Sequence, residues 1–296
     1  MIRPHTFRNG SESGLASGCG VSVEKAGGIV QIATKDIDIR VDDSLMRVYV
    51  AAPIAMVDRN EDGEAVADED GAARKYPGIL LFSEIFQLTA PIKRSVERLA
   101  GYGFVVAAPE IYHRIEPVGT SIAYDDIGRM RGSEDARRTS VAAFDADTCA
   151  TFDYLGGHSQ VAPGQLGTMG FCIGGHLAMR AALQPHVKAG VCCYPTGVHN
   201  GRLGQNANAG TLERLGEIKG ELLVVFGGID PHVPAEGRKV VTEALENSGV
   251  THEVLTLPAE HAFMRDEGPR YDSERADAVW WKATSLFRRV LVKDGN

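Results

Sequence analysis

From Gln31 the chain alternates, with Ile32, Ile37, Ile39 and Val41, then Leu45, Val48 and Val50, set among polar neighbours. A period of two is the spacing of a half-buried strand, so this stretch predicts two strands joined as a hairpin. Residues 58–74 (DRNEDGEAVADEDGAAR) interrupt it with a polar excursion. After Tyr76-Pro77 the apolar positions become continuous, in GILLFSE and again in FVVAA at 104–108, where Pro109 stops the run. Runs of this kind suit parallel strands buried on both faces. Between them, APIKRSVERLAGYG carries Pro91 early, Ile92, Val96 and Leu99 at helical spacing, and Gly101 and Gly103 at its end, so it predicts a helix. Residues 113–133 read as a long loop before a helix that carries Val141, Phe144, Cys149, Phe152 and Leu155. Strand 166–171 leads into a small-residue helix at 173–183, and strand 187–194 into a Gly/Asn-rich loop at 197–211. Strand 222–226 precedes a helix near 240–245 that ends at Gly249, and strand 253–257 precedes a last helix with Val279, Ala283, Leu286 and Val290 on one side. Such alternation predicts an α/β fold of one mostly parallel, doubly wound sheet with helices on both faces. We read it as a single domain over 29–296, after a loose Gly/Ser-rich extension at 1–28.

Composition narrows the class. The 296 residues are 44% hydrophobic and 24% charged, as in soluble globular proteins. A net charge of -8 argues against a nucleic-acid partner, whose phosphates call for clustered cations. That acidity is mostly local: residues 58–74 hold seven acids against Arg59 and Arg74, a net of -5. Joining the second and third strands, this excursion is expected at the end of the sheet opposite a site. Asp58, Asn60, Asp62, Gly63 and Glu69 match an EF-hand calcium loop, but strands rather than amphipathic helices are predicted on both sides, so a solvated hairpin is the better reading. The five cysteines show no CxxC pair and no zinc-type Cys/His spacing, which suits a reducing compartment and no metal or cofactor. The N-terminal residues lack the apolar stretch of a signal peptide, and no run of 18 apolar residues occurs, so a cytoplasmic protein without a membrane partner is expected, as a monomer or homodimer.

The sharpest chemical signal is Gly170-Phe171-Cys172-Ile173-Gly174-Gly175, entered by a strand and left by a helix. This is the nucleophile-elbow pattern with cysteine in the serine position, against which stands a plain turn holding a structural thiol. Two downstream residues favour the catalytic reading. Asp230 follows the strand LLVVFGG and His261 follows VLTLPAE, in the order nucleophile, acid, histidine and at the strand ends where such a sheet gathers its site. Alone, Asp230 would read as a turn residue and His261 as a surface histidine. His176, one turn past the cysteine and facing neighbouring helices, His232 and His113 are weaker candidates for the base, with His113 at the border of the pocket. Glu84 ends GILLFSE, the strand whose following loop supplies half of an oxyanion hole, so the backbone N–H groups of Ile85 and Ile173 are the expected donors.

Taken together, SEIF, RLAGYGFVVAAPEIYHR, GFCIGG, GGIDPHVP and AEHAFMR resemble the dienelactone hydrolase family of α/β-hydrolases over about residues 30–290. The resemblance implies a Cys172–Asp230–His261 triad, with Glu84 touching the resting thiol and displaced when substrate binds. It implies that Arg114 and Arg265, with Tyr112 beside them, hold the carboxylate of a small anionic lactone or ester. The segments 58–74, 113–133 and 197–211 depart from short family members, which leaves pocket shape and substrate open. A general carboxylesterase or thioesterase, and a non-catalytic ligand binder on the same fold, are the alternatives.

Overall fold

The computed structural model describes residues 29–59, 65–66 and 74–292. The extension at 1–28 and most of the acidic excursion lie outside the described residues.

Strands β1 (Ile29–Val41) and β2 (Ser44–Arg59) form the expected antiparallel hairpin, closed by a two-residue turn in which Asp42 takes φ 51°. A short β3 (Ala65–Val66) pairs back on β2, with Asp58 opposite Val66, so the segment entering the calcium-like motif is a strand. Five parallel strands follow after β4 (Tyr76–Phe82): β5 (Val105–Pro109), β6 (Val161–Phe171), β7 (Val187–Cys193), β8 (Glu221–Gly227) and β9 (Thr251–Leu257). The order across the sheet is β1-β2-β5-β4-β6-β7-β8-β9. Because β2 runs antiparallel to β5, its far end and β3 lie beyond the amino ends of the parallel strands, opposite the carboxyl ends.

The continuous apolar strands are apolar because both of their faces are covered. In β4, Leu80 and Phe82 pack into one hydrophobic cluster and Ile79 and Leu81 into the other; β8 divides Leu222, Val224 and Phe226 from Leu223 and Val225 in the same way. Helices α1 (Ala90–Gly101) and α6 (Ser273–Leu291) cover one face through Ile92, Val96, Leu99, Val279, Ala283 and Phe287. Helices α3 (Val141–Gly157), α4 (Ile173–Ala181) and α5 (Ala235–Ser248) cover the other through Phe144, Leu155, Leu177, Val241 and Leu245. Each of these Ile, Val, Leu and Phe side chains contributes about 1.5–3 kcal/mol on burial.

One prediction fails. Residues 113–133 are not simply a loop, because α2 (Asp126–Arg138) begins inside them. Its Ile127 and Met130 are exposed, so it has no apolar stripe to read. Three things hold it instead: an Asp125 side chain that accepts from the Gly128 N–H, and close backbone packing at Gly128 and at Gly132.

Candidate active site

The chain turns from β4 to β5 in one direction across the sheet and reaches β6 on the other side of β4, so the strand order reverses between β4 and β6. A crevice at the carboxyl ends of strands is expected at such a switch point. Glu84 and Ile85 follow β4 there, and Cys172 and Ile173 follow β6.

Cys172 occupies φ 59°, ψ -120°, a conformation that side-chain-bearing residues rarely adopt. The turn is too tight for other neighbours. A Cβ on Gly170 would lie 2.0 Å from the Gly174 carbonyl oxygen, and one on Gly174 would lie 2.4 Å from that of Ser83. These close approaches seat the first turn of α4 on the end of β4. As the first residue of α4, Ile173 has an N–H with no intrahelical acceptor. The Ile85 N–H donates no backbone hydrogen bond among the described residues. Three more non-glycine residues with positive φ stand at the same ends of strands: Gln87, Tyr194 and Ala262.

Cys172, His261 and Asp230 come together. His261 Nδ1–H donates to Asp230 Oδ2 at 2.7 Å, and the imidazole lies close enough to Cys172 to feel the charge of its sulfur. Both partners are buried, at 6% and 3% exposure, so little water competes for this pair. Burial alone would lower the His261 pKa, but the Cys172 sulfur and the Asp230 carboxylate overcome it and push it up to about 10. Burial likewise works against ionisation of Asp230, and the His261 hydrogen bond reverses that, holding the carboxyl below its usual range. Asp230 Oδ1 accepts the His232 N–H at 2.7 Å, and the His232 ring lies 4.6 Å from that of His261, beside the base rather than in line with the sulfur.

Glu84 is buried at 3% exposure, and burial raises its pKa against the pull of Arg265 and His261. Its carboxylate accepts from Arg265 Nη1 at 3.4 Å, whereas the Cys172 sulfur lies 3.7 Å from Thr196 Oγ1. Among the described residues Glu84 makes no hydrogen bond to the thiol it was expected to touch. Arg265 draws the carboxylate to itself, its guanidinium carbon 4.1 Å from the Tyr124 ring centre and 5.9 Å from that of Phe86. Glu84, Ile92, Phe171, Tyr194, Met264 and Arg265 line a small hollow beside this pair. A wider hollow at the β8–β9 edge, against α6, contains none of these residues.

Arg114 is placed differently from the expectation. Its Nη1 donates to Asp147 at 2.8 Å and its Nη2 to Asp42 at 2.9 Å, so two carboxylates already occupy the guanidinium. His113 is buried between Ser44 and Asp147 and does not border an open pocket. Tyr112 is buried, its hydroxyl has no partner among the described residues, and it lies close enough to Cys172 to feel its charge. His176 does not simply face helices: its ring is held by Thr196 and Thr211 on the loop after β7. Sequence reasoning also missed Thr196 and Tyr124. Thr196 carries one usable signal, its place just past a parallel strand next to the elbow strand.

A doubly wound sheet with a cysteine elbow at its switch point, and an acid and a histidine after later strands, is an α/β-hydrolase. Residues 64–291 match the model of the dienelactone hydrolase family, and the chain belongs to that family. As a member, it is a hydrolase of ester or lactone bonds. A Saccharomyces cerevisiae (strain ATCC 204508 / S288c) protein named "Putative carboxymethylenebutenolidase" is 38% identical over 227 residues, 74% of this chain and 82% of its own. The carboxymethylenebutenolidase of Pseudomonas putida is 27% identical over 218 residues, 73% of this chain and 87% of its own. A solved dienelactone hydrolase-like promiscuous phosphotriesterase from metagenomic libraries shares the fold, with a TM-score of 0.66 at 22% identity over 88% of this chain and 98% of its own. Among the described residues no helix is long and apolar enough to cross a membrane.

Proposed function

We propose that the protein opens a small lactone or activated ester, one bearing a carboxylate, by nucleophilic catalysis at Cys172. The observation that carries this reading is the His261–Asp230 hydrogen bond within reach of the Cys172 charge, with the cysteine held at φ 59° at the sheet's switch point. The thiol proton passes to His261, and the α4 N-terminus favours the thiolate that remains. Sγ attacks the carbonyl carbon, and the N–H groups of Ile173 and Ile85 receive the oxyanion. Collapse breaks the ring C–O bond, the departing oxygen takes the proton from His261, and an acyl-thioenzyme with a neutral imidazole is left. Water, deprotonated by His261, then adds to the thioester and releases the acid, while Asp230 fixes the imidazole tautomer. A thiolate is itself a good leaving group, so the chemistry suits an enolate departing from an enol lactone better than an alkoxide.

In this reading a substrate carboxylate competes with Glu84 for Arg265, and Glu84 moves when it loses. Replacement of Cys172 by alanine should abolish turnover of an enol lactone; turnover at the native rate would end the proposal. One observation favours a broader ester or thioester range: Arg114 is occupied by Asp42 and Asp147, which leaves, of the two arginines expected to hold a carboxylate, only Arg265, itself paired with Glu84. A panel of esters with and without a free carboxylate separates the two, because a carboxylate preference that is lost in Arg265→Gln marks the narrower substrate class.

A further inference from the structure

The long loop after β7 meets the nucleophile through one residue. Thr196 Oγ1 lies 3.7 Å from Cys172 Sγ. Its backbone is fixed from two sides: its N–H donates to the Cys172 carbonyl at 3.2 Å, and His176 Nδ1 lies 3.1 Å from its carbonyl oxygen. A carbonyl only accepts, so Nδ1 carries the proton and Nε2 of a neutral ring is left to accept from the Thr211 hydroxyl at 2.9 Å. His176 is fully buried and burial drives its pKa down to about 3, so the ring stays neutral in this bridge. One imidazole thus ties both ends of the loop to the elbow helix. Gly197, at φ 77°, turns the chain back where a Cβ would meet the Arg202 carbonyl at 2.2 Å.

We infer that Thr196 is a catalytic residue whose hydroxyl donates a hydrogen bond to the Cys172 thiolate. This rests on the reading of Cys172 as nucleophile. In the thiol state either group can donate. Once the proton has passed from Sγ to His261, the sulfur only accepts, and the hydroxyl turns its hydrogen to it. No covalent bond to Thr196 forms or breaks. When Sγ bonds to the acyl carbon its negative charge leaves for the oxyanion, and the hydrogen bond weakens. Thr196 therefore favours the thiolate over both the thiol and the acyl-enzyme. The stiff χ1 of a β-branched residue helps to hold the hydroxyl in place.

The test is the rate of Cys172 alkylation by iodoacetamide against pH, read by intact mass with Cys172→Ala as the blank. The other titratable groups facing the sulfur are His261, Tyr112 and Tyr194, with the Glu84–Arg265 pair beyond Tyr194; both tyrosines are kept protonated by burial. Thr196→Val should move the midpoint of the alkylation profile upward, slowing labelling about 3- to 10-fold below it, since one pKa unit is tenfold. Above both midpoints the rate should match or exceed the native one, because a thiolate of higher pKa is more nucleophilic. Thr196→Ser keeps the hydroxyl and should restore the native profile, and Thr196→Ala serves if valine prevents folding. A native midpoint in a folded valine or alanine variant overturns the role of Thr196 and leaves that of Cys172 standing. Undiminished lactone turnover by Cys172→Ala overturns the underlying reading instead.

Discussion

At the scale of single residues, the site depends on how each charge is partnered. Asp230 holds His261 through Nδ1, so an Asp230→Asn change can present its amide N–H to the ring and favour the wrong tautomer. Turnover should fall by about 10³–10⁴-fold with little change in folding, measured as kcat on an aryl ester. His261 also makes stability depend on pH. Its pKa is raised in the folded state, so the stabilisation is complete below the unfolded value near 6.5 and is lost as pH rises through about 10. The melting temperature should therefore fall between about pH 6.5 and 10, and fall less in His261→Gln. Cys172, Asp230 and His261 are legible in the sequence because chain order and strand ends constrain them. The Glu84–Arg265 pairing is not, because it depends on Tyr124 and Phe86 meeting the guanidinium from a stretch that reads as loop.

At the scale of elements, the strands and most helices follow from hydrophobic period, and α2 does not. Its exposed face carries Ile127 and Met130, and its buried face is largely glycine with Asp135 and Ala136, so neither side marks it as a helix. Contact of backbone with backbone replaces a hydrophobic stripe. A Cβ on Gly132 would lie 2.2 Å from the Ile85 carbonyl oxygen, so Gly132→Ala must push α2 away from the residue proposed to hold the oxyanion. Turnover should drop about tenfold or more, as for a damaged oxyanion donor, and the melting temperature should fall as well. Gly156, within α3, has nothing within 4 Å of where its Cβ would stand. The same substitution there should stabilise the fold by about 0.5–1 kcal/mol, read by denaturant unfolding.

At the scale of the whole molecule, Arg114 shows how far a side chain's role depends on what packs around it. It links the β1–β2 turn at Asp42 to Asp147 on α3, tying the antiparallel hairpin to the helical layer. In sequence these partners lie 72 and 33 residues away, and nothing local marks them. Arg114→Gln should leave the buried Asp147 short of a charged partner at a cost of about 3 kcal/mol, while KM for a carboxylated ester stays near native. The acidic excursion follows the opposite course. The hairpin register carries Asp58 and Arg59 beyond the amino ends of the parallel strands, opposite the crevice, as its position between strands implies. The central claim, covalent catalysis at Cys172, is tested most directly by intact-mass spectrometry of the protein quenched during turnover of an enol lactone. A mass increase equal to the acyl group, mapped to Cys172 and absent from Cys172→Ala, is expected. Turnover with no adduct, and a Cys172→Ala variant that still hydrolyses the lactone, would contradict it.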